Sequence, residues 1–543
     1  MTGTPAHPTV EPDPRLVAVE AAINSGNLGQ AVQLAEQALA AGLAHPALFN
    51  LRAVRAEAEE RWADSLADLR RAHELAPEDP SILNALGLCL TQMNQQDEAV
   101  EVFRRATIVA PEFAQAWNNL GHALLTQTEL EAARAAFEKA VELQPGFPEP
   151  RGQLAVLAAR RGDRIAARTE AEAALAIKPR LPEAIRALAE VDLAEARPAD
   201  AEQRLRELLE DPGLGPNSRY LAHSLLGDAL DRQDRVAEAF EAYQTANQGP
   251  FKAYAPRFGQ LGLVERTDEL GRGFDRDWRN SPRAVSAPAT GPARRHIFLI
   301  GFMRSGTTLL EQVLASPPDA ASLEEREALV SGTNAFLTGA DGLRRLRDAD
   351  EAALERHRAD YWRQVRGFGI EPAGKVFIDK MPLNGIKLPL IQRLFPDAKI
   401  IFAIRDPRDV VFSCFRQRFA VTSHTYPLLT LPTAVRFYDA YMRGVETYAA
   451  GLPLAMHRYR HEDLVVDFDG QVKALCAFLD LPWDEAMRDI GRRSREGRVA
   501  SPSARQLVGG LSTAGVQQWR RYEPQLTPFF RDLESWVRRF GYS

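Results

Sequence analysis

The run His-Ile-Phe-Leu-Ile-Gly-Phe-Met-Arg-Ser-Gly-Thr-Thr-Leu-Leu, residues 296–310, leaves the chain little local choice: a short buried strand, a glycine loop and the start of a helix. Gly301 and Gly306 bracket four residues, so the loop N–H groups and the helix N-terminus face a common anion. The bracket has the spacing of a nucleotide-phosphate loop, but Thr307 and Thr308 follow Gly306 where such a loop carries its phosphate lysine. The expected ligand changes accordingly.

At 543 residues the chain exceeds one typical domain, and two or three folded units are expected. A formal net charge of −6 gives no global pull toward nucleic acid or anionic lipid, so any anion site is local and nucleic acid is not an expected partner. Cys89, Cys414 and Cys476 are odd in number and widely spaced, which builds neither a disulfide framework nor a metal site. The first residues show no basic start followed by an apolar core, and no run approaches the roughly 18 apolar residues of a membrane span. A cytoplasmic location is expected.

Residues 16–248 repeat themselves. Phe49, Leu83 and Trp117 recur at the tetratricopeptide period of about 34 residues, as do Leu86 and Leu120, Gly87 and Gly121, and Phe103 and Phe137. Pro77, Pro111, Pro145 and Pro179 punctuate the same period. Small residues stand where the second helix of each repeat approaches the first: Ala31, Ser65, Ala99, Ala133, Ala167, Ala201 and Ala239. About seven repeats follow, each a helix pair. Asn50, Asn84 and Asn118 share one repeat position, and a row of amides can hydrogen-bond the backbone of an extended peptide. The row resembles the asparagine ladder of the protein O-GlcNAc transferases; the plainer reading is Asn tolerated on a polar face. A polypeptide acceptor or partner protein is the expected occupant.

Residues 249–294 lose the period and gain Gly, Pro, Arg and Asp, the composition of a linker. From 295 onward short apolar runs alternate with helical patterns, which is parallel α/β grammar. In the second strand–turn–helix unit, residues 398–413, Asp406 is an N-cap with Pro407 at the first helical position. That places Arg405 at a strand's carboxyl end, where open α/β sheets bind ligands, with Ser413 two turns along the helix.

Together, the loop at 302–308 and residues 405–413 resemble the 5′-phosphosulfate and 3′-phosphate motifs of the sulfotransferase superfamily. Over most of residues 295–543 the chain is similar to the bacterial tetratricopeptide-sulfotransferases and, more distantly, to the tyrosylprotein sulfotransferases. The resemblance implies 3′-phosphoadenosine 5′-phosphosulfate as donor, no required metal, and transfer to an acceptor hydroxyl, protein tyrosine first and a glycan or small molecule as the alternative. It implies donor contacts at Arg304, Ser305, Gly306, Thr307, Thr308, Arg405 and Ser413, at His461 where the family carries Tyr, and at Ser503 and Gln506 in a closing C-terminal segment that includes Trp519–Tyr522. It implies Glu325 as general base, with Arg304, Lys380 and Ser503 stabilising the leaving group.

Bland readings stand beside these. Ser322-x-x-Glu325 is also a capping box, Lys380 a solvated cation, and Glu324, Glu327 and His424 rival bases. A phosphate-loop kinase or NTPase lacks its lysine here, and a non-catalytic scaffold has only His461 in its favour. The expected architecture is α plus α/β: a disordered stretch 1–15, a tetratricopeptide α-solenoid 16–248, a linker 249–294, and a three-layer α/β sulfotransferase domain 295–543 with a mainly parallel sheet.

Overall fold

The computed structural model describes residues 13–127, 129–259, 262–278, 291–339, 341–492 and 510–543. The chain parts into two compact units, Met1–Val191 and Asp192–Ser543. The division falls inside the repeat array rather than after it.

From Pro14–Asn24 to Val236–Tyr254 the described residues form fourteen helices, two for each of seven repeats. The first helix begins at Pro14, inside the stretch read as disordered, with Asp13 as its N-cap. All seven small residues of the second helices, Ala31 to Ala239, are 0% exposed, because only a short side chain lets the two helix backbones approach. Gly121 answers the same need. A Cβ there would lie 2.6 Å from the Phe137 ring, and Gly87 meets Phe103 at the same distance.

In the second unit five parallel strands, β1 (Arg295–Gly301), β2 (Ala320–Glu324), β3 (Val376–Lys380), β4 (Lys399–Ile404) and β5 (Ala455–Arg460), lie in the order β2-β3-β1-β4-β5. The three inner strands are almost wholly buried and the edge strands less so, as a sheet covered on both faces requires. Alternate side chains of β1 serve the two layers. Ile297 and Leu299 pack with Leu310 and Val313 of the helix Thr307–Leu314 and with Leu475 of Phe468–Leu479. Phe298 faces the other way, 5.8 Å from Phe395 and 6.3 Å from Tyr361.

Residues 249–259 and 263–277, read from composition as part of a linker, are helical. The helix Val236–Tyr254 runs on through Pro250, and a further helix spans Leu263–Asp277. Buried Phe274 seats the latter on the helix Leu431–Gly451, against Gly451 and 5.0 Å from Tyr448. The burial of one aromatic ring outweighs weak local propensity. No described helix is long and apolar enough to cross a membrane.

Candidate active site

Every strand carries a candidate site residue at or just past its carboxyl end: Arg304 after β1, Glu325 after β2, Lys380 closing β3, Arg405 after β4 and His461 after β5. This is where a parallel sheet leaves its crevice. A cavity of about 290 Å³ opens there, lined by Arg304, Gly306, Thr308, Arg405, Ser413 and His461 among others.

The loop is built by two left-handed residues, Arg304 (φ 67) and Gly306 (φ 95). Gly306 is required twice over, by its φ and because a Cβ would fall 2.5 Å from His461 Nδ1. The Arg304 carbonyl accepts from Arg405 Nη1 at 2.9 Å, and Arg304 Nε donates to Ser413 Oγ at 3.0 Å. Ser305 Oγ turns back to the Phe302 carbonyl at 2.7 Å, so this hydroxyl shapes the loop. Thr307 and Thr308 open the helix and are buried. Burial, with Arg405 and Arg416 nearby, pushes Arg304 down to about 10, with Glu325 pulling the other way; the guanidinium stays charged at neutral pH.

Among the described residues, two buried polar atoms of the lining, Arg405 Nε and His461 Nδ1, find no hydrogen-bond partner. Buried polar groups are rarely left so, and both fit an anionic ligand. His461 is pushed down to about 3 by burial and by Arg405 and Arg304, so its ring is neutral. Gly510–Ser512, Ala514, Gly515 and Gln518 complete the wall. Arg405 donates to the Gly515 carbonyl, and Arg416 to Gln518. Asp409 accepts the Gln517 N–H at 2.7 Å and the Trp519 N–H at 2.9 Å. Arg408 lies 3.9 Å over the Trp519 ring. Ser503 and Gln506 lie outside the described residues.

Lys380 is a buried ammonium. It is 0% exposed, its Nζ 2.6 Å from Glu325 Oε1 and 3.3 Å from Glu311 Oε2. Burial alone would lower it, but Glu311 and Glu325 prevail and hold it above its ordinary value. The surface-cation reading of Lys380 therefore falls. So does the capping box: Ser322 is inside β2, where its hydroxyl donates to Glu311, and the next helix starts at Val330. Pairing of β2 with β3 claims that segment, and the Glu325 N–H bonds the Lys380 carbonyl at 2.9 Å. Of the rival carboxylates, Glu324 ends β2 in register with Lys380, while Glu327 pairs with Lys387 and accepts the Leu329 N–H. His424 sits in a turn beside Ser423; like Glu325 and Lys380 it is not among the residues that line the cavity, but unlike them it has no place at a strand's carboxyl end.

Sequence reasoning missed Arg416, Gln518, Asp409 and Glu311. Arg416 carried a signal, since it stands three residues past Ser413 on one helix face. Glu311 carried another, the one charge in the run Thr-Thr-Leu-Leu-Glu-Gln-Val-Leu.

A glycine loop, three guanidiniums and a buried Lys–carboxylate cluster thus gather at the carboxyl ends of a parallel sheet, in a chain that begins with a helical repeat array. Residues 296–485 match the family model described as "Sulfotransferase family", and residues 50–110, 84–148 and 186–253 match the tetratricopeptide repeat model. The chain thus carries a sulfotransferase-family domain behind tetratricopeptide repeats. It is 25% identical over 368 residues to an uncharacterized protein of Aquifex aeolicus (strain VF5), covering 65% of this chain and 46% of that one. It is 28% identical over 202 residues to protein-tyrosine sulfotransferase 1 of Danio rerio, covering 35% of this chain and 54% of that one. The chain thus spans about half the length of these relatives. A tetratricopeptide repeat protein from Parabacteroides merdae ATCC 43184 aligns at 16% identity with a TM-score of 0.35, over 43% of this chain and 91% of that structure.

Proposed function

We propose that this protein transfers a sulfuryl group from 3′-phosphoadenosine 5′-phosphosulfate to an acceptor hydroxyl, with protein tyrosine as the acceptor class. The observation that carries the reading is the cavity itself, which the loop residues Arg304, Gly306 and Thr308 line together with Arg405 and Ser413, and on which Arg405 Nε and His461 Nδ1 find no partner among the described residues. The loop amides and Arg304 hold the 5′-phosphosulfate, and Arg405 with Ser413 holds the 3′-phosphate. His461 contributes a neutral ring nitrogen, while Ser503 and Gln506 are the family's closing contacts.

The acceptor oxygen attacks sulfur, the bond from sulfur to the bridging phosphate oxygen breaks, and the leaving phosphate keeps the electron pair. The acceptor proton passes to Glu325. Such transfer depends on positioning and on charge stabilisation around the moving group, which Lys380 and Arg304 supply. Protein tyrosine is favoured by the similarity to protein-tyrosine sulfotransferase 1 of Danio rerio, and the repeats suit recruitment of a polypeptide.

One observation favours the second acceptor reading, a glycan or small molecule with the repeats serving as a partner-binding module. Asn118 is buried and Asn84 Oδ1 accepts from Asn119 Nδ2 at 2.8 Å, so the amide row is partly engaged within the array.

Calorimetry with 3′-phosphoadenosine 5′-phosphate, in parallel with Mg²⁺-ATP, tests the donor class. Binding of the first alone is expected, and binding of Mg²⁺-ATP alone overturns the reading. Labelled-sulfate transfer to tyrosine peptides and to glycans then separates the acceptors. Glu325→Gln should abolish turnover and leave donor binding intact.

A further inference from the structure

Glu325 is 43% exposed on the loop after β2, whereas its partner Lys380 is 0% exposed. A base that takes the acceptor proton becomes neutral, and at that moment it no longer balances the ammonium beside it. A buried ammonium without a counter-ion gives up its proton readily. The structure holds a second counter-ion that the reaction does not consume. Glu311 is 0% exposed on the loop helix Thr307–Leu314, its Oε2 is 3.3 Å from Lys380 Nζ, and its other oxygen accepts the Ser322 hydroxyl. A helix and an inner strand hold these two groups, while the catalytic carboxylate stands on a loop.

We propose that Glu311 is a positioning residue for the transfer reaction: a fixed counter-ion that keeps Lys380 charged and aimed at the crevice while Glu325 leaves it to take the acceptor proton. The inference rests on the sulfotransferase reading above. The charged groups facing Lys380 are Glu311 from the loop helix, Glu324 from the end of β2 and Glu325 from the loop after it. Of these, Glu311 is the one packed wholly in the interior and restrained by a neighbouring hydroxyl. Ser322 therefore has a part as well, because its hydroxyl fixes the carboxylate that fixes Lys380.

The test follows Lys380 directly in the full chain, with side-chain carbon NMR of ¹³C-labelled lysine and the Lys380 resonance assigned by its loss in Lys380→Arg. In Glu311→Gln the Lys380 titration should move to lower pH by about one unit or more, with a smaller move in Glu311→Asp and in Ser322→Ala. Affinity for 3′-phosphoadenosine 5′-phosphate should stay within about twofold, while the alkaline limb of the kcat–pH profile moves to lower pH with the lysine. An unmoved Lys380 titration in folded Glu311→Gln overturns the proposal, as does a loss of kcat equal at every pH. If Glu311→Gln does not fold, Ser322→Ala decides by the same titration. A wild-type protein that transfers sulfate to no hydroxyl overturns the reaction reading alone, since the titration reads the Glu311–Lys380 pairing without turnover.

Discussion

At Gly306 the backbone and the ligand site make one demand. A φ of 95 excludes most side chains, and His461 occupies the space that a Cβ would need. Gly306→Ala should therefore destabilise the loop by about 1–3 kcal/mol and weaken binding of 3′-phosphoadenosine 5′-phosphate about tenfold or more, which calorimetry and a melting curve measure together. Arg304, Arg405 and Ser413 were legible in the sequence because strand–loop–helix grammar fixes them within a few residues of a strand end. Glu311 and Asp409 were not. Their roles come from elements far along the chain, β3 for Glu311 and the 517–519 segment for Asp409, and periodicity carries no such information.

The segment 510–522 closes the cavity although little of it is regular structure, only the short 3₁₀ turns Thr513–Gly515 and Gln518–Tyr522. Its anchor is Asp409, in the first turn of the helix Pro407–Arg416, whose two oxygens accept two backbone N–H groups. Burial pushes this carboxyl from 3.8 up to about 6, against the opposing pull of Arg405 and the two N–H donors. The folded group thus keeps its proton to higher pH than the unfolded chain does. Its contribution to stability is full below 3.8 and is lost as pH rises through about 6. Asp409→Asn should flatten that part of the Tm–pH profile. It should also weaken donor binding several-fold near neutral pH, because an amide NH₂ faces one of the two N–H groups. An unchanged donor affinity would show that the segment closes without this anchor. Ser322-x-x-Glu325 shows how a local pattern can point to the wrong element. Four residues can satisfy a helix-start pattern and still be drawn into an edge strand by register with β3, since tertiary pairing outweighs a local cap.

At the scale of the molecule, the repeat period predicts the helix pairs well, but a period cannot show which pair belongs to which compact unit. The last pair, Pro216–Asp231 and Val236–Tyr254, lies in the second unit with the sheet. It is bound there by chemistry no consensus encodes. Asn247 Nδ2 donates to the Phe415 carbonyl at 2.8 Å, and Asp228 pairs with Arg418. Asp231 accepts from the Tyr522 hydroxyl at 2.6 Å and from Arg521 at 2.8 Å. Phe240, 7% exposed, sits 6.0 Å from Phe415 and 6.5 Å from Tyr522, touching both the helix that carries Ser413 and the end of the closing segment. Phe240→Ala, a change in a repeat helix, should therefore cost about 3 kcal/mol of stability in the second unit. Because the ring supports Phe415 and Tyr522 together, donor binding should weaken as well, and Asp231→Ala should weaken it through Tyr522 with a smaller loss of stability. Calorimetric melting with and without 3′-phosphoadenosine 5′-phosphate reads both effects. A Phe240→Ala protein whose ligand-stabilised transition melts as in the wild type would mean that the last repeat is only tethered to the sheet domain and does not support its site.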